Sequence, residues 1–206
     1  MDKSLPFVVT INREAGSGGR TIGRKLAEKL GVNFYDKAVI TKLVEEYDLS
    51  PAQIEKIKAE RTGFWAEISS KILPSPNFGY KDDYGKVTSA DLFKTESALI
   101  KGIAGDRSCV IAGRSAFFVL KNHPNKVSVF VRASLEHRIK RIATKQNLSE
   151  SEAREIIERI DSRRESYTKE YSGVSRYDSR NYDLVINTDL VDEDTAVKCI
   201  LDYMGI

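Results

Sequence analysis

The stretch Asn12-Arg13-Glu14-Ala15-Gly16-Ser17-Gly18-Gly19-Arg20-Thr21 decides the fold. It follows the apolar segment from Phe7 to Ile11, which predicts a buried strand, and precedes the amphipathic segment from Ile22 to Leu30, which predicts a helix. Three glycines in four positions let the backbone close around an anion without steric conflict from side chains. Main-chain N–H groups in such a turn, and at the start of the following helix, bind phosphate. The sequence therefore predicts a protein that holds a polyphosphate.

This stretch fits the general phosphate-loop pattern G-x-x-x-x-G-K-[ST] in two ways, neither of them complete. If the pattern ends at Thr21, then Arg20 replaces the lysine and Glu14 replaces the first glycine. If it ends one residue earlier, Gly19 stands at the lysine position and Arg13 at the first glycine. Both alignments lack the lysine that normally reaches the β- and γ-phosphates. An ordinary glycine-rich turn between a strand and a helix is the alternative interpretation.

The composition favours one α/β domain. The chain has 206 residues, of which 41% are hydrophobic and 31% charged, and this length suits a single domain with an inserted segment. The net charge of +3 is too small to favour a nucleic-acid partner, which would need a clustered basic face. No apolar run approaches the roughly 20 residues that span a bilayer, so we expect no membrane partner.

The cysteines and the N-terminal residues indicate a cytoplasmic protein. Cys109 and Cys199 lie far apart, in apolar segments and without CxxC spacing, so each is predicted to be a buried thiol. The residues from Met1 to Pro6 show no signal-peptide pattern. We therefore expect a reducing, cytoplasmic setting.

Strand and helix patterns alternate along the chain, which predicts a parallel sheet with helices on both faces. An inserted segment of approximate bounds 50–100, least regular over 61–87, is expected to cover a substrate. Its aromatic side chains form either a small core or a wall that stacks on a base. The predicted strands cover 7–11, 33–35, 108–112, 127–131 and 184–186. The predicted helices cover 21–30, 37–47, 50–61, 89–105, 115–121, 134–146, 149–171 and 192–203.

Two side chains at predicted strand ends are candidate ligand contacts, because open parallel sheets bind ligands beyond the carboxyl ends of their strands. Arg114 follows an apolar strand and a glycine, and its guanidinium can bind a phosphate through two parallel hydrogen bonds. The alternative is a surface arginine at a strand end. Asp36 either binds a sugar hydroxyl or caps the helix that begins at Lys37.

The segment from about 159 to 181 is dense in arginine. A charge-rich helix is usually a solvated face stabilised by pairs four residues apart. Here the polar loop after the helix holds two more arginines, which favours a lid that closes cations over transferring phosphates and excludes water. The arginines of this segment are Arg159, Arg163, Arg164, Arg176 and Arg180, and Asp161 lies among them.

With these motifs in view, the chain resembles the cytidylate kinase-like family, whose relatives are the bacterial cytidylate kinases among the P-loop nucleoside monophosphate kinases. The resemblance covers nearly the whole chain and is weakest over 50–100. The run from Val9 to Leu30 is similar, without gaps, to the first strand, loop and helix of cytidylate kinases. That alignment favours Gly19 at the lysine position. The run from Arg13 to Arg20 is similar to the loop of this subfamily in particular.

The resemblance implies roles for several other residues. Tyr35-Asp36 looks like the family's Leu-Asp pair, whose aspartate helps to bind the nucleoside of CMP. Gly113-Arg114 looks like its Gly-Arg-Asp, whose arginine contacts the CMP phosphate, although Ser115 replaces the aspartate here. The segment around Arg138 and Arg141 is similar to the helix that leads into the lid, which implies that both arginines lie near ATP.

The lid residues follow from the same resemblance. Asp161, Arg163 and Arg164 look like the lid's aspartate and arginine cluster. We expect Arg163 and Arg164 to neutralise the charge that develops during transfer, and Asp161 and Arg180 to contact the substrate. Positioning and electrostatics dominate phosphoryl transfer, so this scheme needs no general base.

We therefore expect a P-loop NTPase three-layer sandwich, forming one kinase domain over residues 1–206. It would use ATP and Mg²⁺ to phosphorylate a nucleoside monophosphate, with CMP or dCMP as the acceptor. Arg13 or Arg20 would supply the charge of the absent lysine. The alternatives are a kinase for another small metabolite and a nucleotide-binding regulatory protein without catalysis. The expected phosphate contacts are Gly16, Ser17, Gly18, Gly19 and Arg20, with Thr21 binding Mg²⁺ directly or through water.

Overall fold

The computed structural model describes residues 4–50, 52–53 and 90–206. The predicted helix over 50–61 lies almost entirely outside these residues, and the irregular stretch over 61–87 lies wholly outside them. Most of the expected inserted segment over 50–100 is likewise outside the described part of the chain.

A parallel sheet of five strands forms the centre of the described structure, in the order β2-β3-β1-β4-β5. β1 lies in the middle and pairs with β3 on one side and β4 on the other. It ends two residues later than predicted, because Asn12 and Arg13 pair with Phe130 and Val131 of β4. The strands are β1 Val8–Arg13, β2 Asn33–Asp36, β3 Cys109–Ala112, β4 Lys126–Arg132 and β5 Leu184–Asn187.

Several helices begin where the sequence supplies a capping side chain. Ser149 and Glu152 form a reciprocal capping box, and the Asp192 side chain accepts a hydrogen bond from the Thr195 N–H. The helices are α1 Gly19–Leu30, α2 Lys37–Glu46, α3 Ala90–Asp106, α4 Ala116–Val119, α5 Leu135–Gln146, α6 Glu150–Ser172 and α7 Glu193–Met204. A short 3₁₀ helix, Ser179–Asn181, lies between α6 and β5.

Side chains of the central strands alternate between two apolar cores, one on each face of the sheet. Val8 packs into one core with residues of α2, α3 and α4, whereas Val9 packs into the other with α1 and α7. In β3, Ile111 packs into the same core as Val8, and Val110 packs into the same core as Val9. The predicted α/β three-layer arrangement of the P-loop fold is confirmed. Among the described residues, no helix combines the length and apolar character needed to cross a bilayer.

The two cysteines differ in exposure, and the expectation of burial is wrong for one of them. Cys109 is fully buried in β3, and burial raises the pKa of its thiol to about 12. Cys199 is exposed, because Ala196, Val197 and Ile200 occupy the buried positions of α7.

We expect dithionitrobenzoate to titrate one thiol in the native protein at pH 8 and two in denaturant. The Cys109 thiol is buried and its raised pKa disfavours the reactive thiolate, whereas Cys199 is accessible. The measurement is absorbance of the released thiolate against time. A Cys199→Ser variant serves as the control, and rapid native labelling of that variant would contradict the burial of Cys109.

Candidate active site

The turn between β1 and α1, residues 14–18 and hereafter the glycine loop, is shaped to receive an anion. Gly16 and Gly18 have φ values of +84° and +83°, in the left-handed region. The Ile22 N–H donates to the Gly18 carbonyl at 3.0 Å, in the pattern of an α-helix whose first turn precedes Ile22. The N–H groups of that first turn are left for a ligand, and the helix dipole adds positive potential there.

A cleft of about 240 Å³ opens in front of the glycine loop. We call it the loop cleft. Its opposite wall is α5, which contributes Arg141, Ile142 and Lys145. Arg141 also forms an ion pair with Glu193 of α7. The loop-cleft residues that the sequence had singled out are Arg13, Gly16, Gly18, Gly19, Arg20, Thr21 and Arg141.

Ser17, an expected phosphate contact, is only 1% exposed. Its hydroxyl and its carbonyl both form hydrogen bonds within the protein. Its hydroxyl donates to the Glu14 carbonyl at 2.9 Å or to the Val131 carbonyl at 3.1 Å. Its own carbonyl accepts a hydrogen bond of 2.9 Å from the Thr188 hydroxyl. Ser17 therefore fixes the glycine loop against β4 and the end of β5.

The underside of the glycine loop is held by an ion pair between two helices. The Ala15 N–H donates to Asp161 of α6 at 2.9 Å, and Arg138 of α5 donates to the other Asp161 oxygen at 2.7 Å. Arg138 also donates to the Ala15 carbonyl at 3.3 Å. Arg138 and Asp161 are nearly buried, with 9% and 8% of their residue surface exposed. The structure thus places Arg138 and Asp161 beneath the loop, where each already has protein partners.

Arg176 is the largest fully buried side chain among the residues that the structure describes, and the sequence motifs gave it no individual role. Its guanidinium donates to the Asn12 side chain at 3.2 Å, to Asp161 at 3.3 Å, and to the Arg13 carbonyl. Arg164 donates to the same carbonyl at 3.2 Å. The arginine-rich segment is therefore bonded to the end of β1 through main-chain and buried polar atoms.

A second cleft, of about 370 Å³, lies beyond the ends of β1 and β3. We call it the arginine cleft. Among the described residues, its lining carries one carboxylate, that of Glu170, against six cationic side chains. Such an excess of positive charge in a concave site favours an anionic ligand. The cationic side chains are Arg13, Lys37, Arg114, Arg163, Arg164 and Arg176.

Arg114 lies in this cleft in an unusual backbone conformation. It and Ser115 have φ values of +53° and +51°, uncommon for residues other than glycine and often found at functional sites. Its guanidinium pairs with Glu96, which is 1% exposed, and lies 4.6 Å from the centre of the Tyr167 ring. Glu96 was not predicted, because a carboxylate within the helical pattern of α3 gives no sign of burial.

Asp36 is engaged in two contacts at the end of β2. One of its oxygens accepts from the Arg20 guanidinium, at 2.7 Å from Nε and 2.6 Å from Nη2. The other accepts from the Val39 N–H at 3.1 Å and so caps α2. The capping alternative is therefore present, and contact of Asp36 with a sugar stays a prediction. Arg20 lines the loop cleft but is turned toward this carboxylate.

Arg180 lies apart from both clefts. Its guanidinium pairs with Asp178 at 2.6 Å, two residues earlier, and its side chain is 87% exposed. The expectation that Arg180 contacts the substrate gains no support from this placement. Arg163, by contrast, lines the arginine cleft, and its part in neutralising transferred charge stays a prediction.

Comparison with known proteins finds similarity along nearly the whole chain. Residues 8–190 match the sequence profile described as the cytidylate kinase-like family. The chain is 27% identical to a cytidylate kinase of Sulfurisphaera tokodaii over 203 residues, covering 97% of this chain and 96% of that one. It is 26% identical to a cytidylate kinase of Pyrobaculum aerophilum over 198 residues, covering 95% and 91% of the two chains.

Solved structures share the fold at lower sequence identity. An uncharacterised protein from Eubacterium ventriosum gives a TM-score of 0.72 at 24% identity and covers 97% of this chain and 98% of its own. The shikimate kinase of Bacteroides thetaiotaomicron gives a TM-score of 0.53 at 14% identity and covers 97% and 99%. At these identities the similarity concerns the fold.

Proposed function

Because the chain belongs to the cytidylate kinase-like family, we propose that it transfers the γ-phosphoryl group of ATP to a nucleoside monophosphate, with CMP and dCMP as preferred acceptors. The observation that carries this proposal is the presence of two clefts that both include Arg13. One is built around main-chain donors and the other around guanidinium groups. A phosphoryl transferase requires such adjoining sites for a polyphosphate and an anionic acceptor.

The loop cleft is the proposed site of the ATP phosphates. Its left-handed glycines and the first turn of α1 supply N–H groups and leave space for phosphate oxygens. Gly16, Gly18, Gly19 and Arg20 would bind the phosphates mainly through the backbone. Arg141, on the opposite wall, would lie beside the nucleotide.

Two residues of the same cleft have side-chain oxygens of the kind that bind Mg²⁺. Thr21 and Glu14 both line it, and one Glu14 oxygen accepts from the Ala133 N–H at 3.1 Å. Mg²⁺ prefers one or two protein oxygens together with water and substrate phosphates. Thr21 would therefore hold the ion directly or through water, with Glu14 as a second candidate. When bound, Mg²⁺ neutralises negative charge on the transferring phosphates.

The arginine cleft is the proposed site of the acceptor. Arg114 would bind the acceptor phosphate, and Asp36 at the neighbouring strand end would bind the sugar. Arg163 and Arg164 would neutralise charge on the moving group. In the transfer step the bond between the γ-phosphorus and the β–γ bridging oxygen breaks, and ADP keeps its electron pair. An oxygen of the acceptor phosphate forms the new bond to phosphorus, giving a nucleoside diphosphate.

A coupled ADP-release assay tests this proposal across CMP, dCMP, UMP, AMP and GMP with magnesium-ATP. We expect kcat/KM for CMP and dCMP to exceed that for the purine nucleotides by at least about tenfold, since one well-placed polar contact gives that discrimination. The control is ATP hydrolysis without an acceptor. Equal use of all five nucleotides would contradict the proposed preference.

The absence of a lysine at position 19 favours a second candidate, a nucleotide-binding regulatory protein without turnover. Calorimetry with magnesium-ATP separates the candidates. Heat of binding without turnover of any acceptor would select the regulatory protein. Turnover of a non-nucleotide metabolite alone would select another small-molecule kinase. No heat of binding would exclude the loop cleft as a triphosphate site.

A further inference from the structure

We propose that Arg13 and Gly19 have exchanged the roles that a phosphate loop ordinarily gives to glycine and lysine, so that Arg13 is the cation on the γ-phosphate. This inference rests on the proposed function for the identity of the nucleotide. It goes beyond that function by choosing between Arg13 and Arg20 and by explaining why position 19 is glycine. In an alignment that places Gly19 at the lysine position, Arg13 takes the position of the first glycine.

The two positions compete for the same space at the junction of β1 and α1. A Cβ atom added to Gly19 would lie 2.6 Å from the Cβ of Arg13 and 3.0 Å from its Cγ. Both atoms belong to the stem of the Arg13 side chain, and the Cβ atom is fixed by the backbone, so it cannot move away without a shift of β1. Only one of the two residues can carry a side chain, and in this protein it is residue 13.

The Arg13 side chain crosses from the glycine loop to the end of β3. A Cβ atom added to Gly113 would lie within severe steric overlap of the Arg13 Nη1 atom. Gly113 therefore provides the space into which the guanidinium extends. Arg13 lines the loop cleft and the arginine cleft together, as no other cation of the described residues does. Its charge consequently lies where a group passing between the two clefts would be.

The neighbouring arginines are engaged elsewhere. Arg20 pairs with Asp36, and Arg138 pairs with Asp161 under the loop. Arg141 pairs with Glu193 on the far wall of the loop cleft. The bonds from Arg164 and Arg176 to the main-chain carbonyl of residue 13 do not involve its side chain, so they can persist in an Arg13 variant.

The test is a relocation of the cation by the double variant Arg13→Gly with Gly19→Lys. Arg13→Gly alone should lower kcat about 100-fold, the usual cost of removing one electrostatic contact to a transition state. The double variant should recover at least about tenfold in kcat, because removing the Arg13 stem leaves a Cβ at position 19 with the milder contact to the Val131 Cβ at 3.2 Å. The matched control is Arg13→Ala with Gly19→Lys, which restores the Cβ conflict and should show no recovery.

A binding measurement makes the test independent of the acceptor. Calorimetry should show that the wild-type protein prefers ATP over ADP, that Arg13→Gly reduces this preference about tenfold, and that the double variant restores it. Arg13→Lys should keep most of the preference, since it retains a cation and requires no change at position 19. An unchanged ATP-to-ADP ratio in Arg13→Gly, or equal behaviour of the two double variants, would overturn the exchange. If the wild-type protein turns over no acceptor, but the variants change the ATP-to-ADP preference as expected, only the proposed function is overturned.

Discussion

Replacing Asp161 with asparagine is expected to lower the free energy of unfolding by about 3–5 kcal/mol, because it leaves buried arginines without their counter-charge. Asp161 accepts from Arg138 at 2.7 Å and from Arg176 at 3.3 Å, and none of the three residues is more than 9% exposed. Asparagine keeps the shape and can still accept from the Ala15 N–H. The expected loss is therefore electrostatic, and urea unfolding measures it.

The matched control is Asp178→Asn, which also removes a carboxylate paired with an arginine. That pair is exposed, so solvent already screens it, and the urea midpoint should be unchanged within error. Equal midpoints for the two variants would show that the buried cluster contributes no more than a surface pair.

Replacing Arg114 with methionine is expected to lower kcat/KM for the acceptor by about 10²- to 10³-fold while ATP affinity changes little. The arginine lies in the arginine cleft, away from the glycine loop, and truncating one member of a buried charge pair costs on the order of 2–5 kcal/mol. Initial rates at varied acceptor concentration, together with calorimetry for ATP, measure the two effects separately. Equal losses in both would show that Arg114 does not serve the acceptor alone.

Arg114→Met also leaves Glu96 buried without its cation, so lost stability must be separated from lost contact with the acceptor. The double variant Arg114→Met with Glu96→Gln removes both charges and should regain thermal stability. It should not regain use of the acceptor. Recovery of activity in the double variant would mean that the single change acted through folding.

The fold could be predicted because its signals are local. The apolar segment, the glycines and the amphipathic segment lie consecutively over 7–30, and the capping box at Ser149 and Glu152 marks the start of α6 within four residues. Each depends on neighbours in sequence, which a single chain displays. The extension of β1 to Arg13 was missed, because it depends on pairing with Val131 of β4, more than a hundred residues away.

The polar interior could not be predicted, because a buried charged side chain and a solvated one look alike in sequence. Arg138 and Arg180 both follow ordinary polar patterns, yet one lies beneath the glycine loop and the other in solvent. Glu96 and Arg114 are separated by 18 positions, and only the packing of α3 against the end of β3 brings them together. Patterns indicate which elements form, whereas the partner of a long side chain depends on how they assemble.

Two sets of bonds at the glycine loop have a consequence for synthesis of the chain: Arg164 and Arg176 donate to the Arg13 carbonyl, and the Ala15 N–H donates to Asp161. They join residues 146 to 163 positions apart, and β1 itself pairs with strands that emerge much later. During translation the segment that bears the glycines leaves the ribosome well before the residues that support it. A nascent polypeptide that does not yet include Arg176 has the complete loop sequence without all of the bonds that hold its native shape.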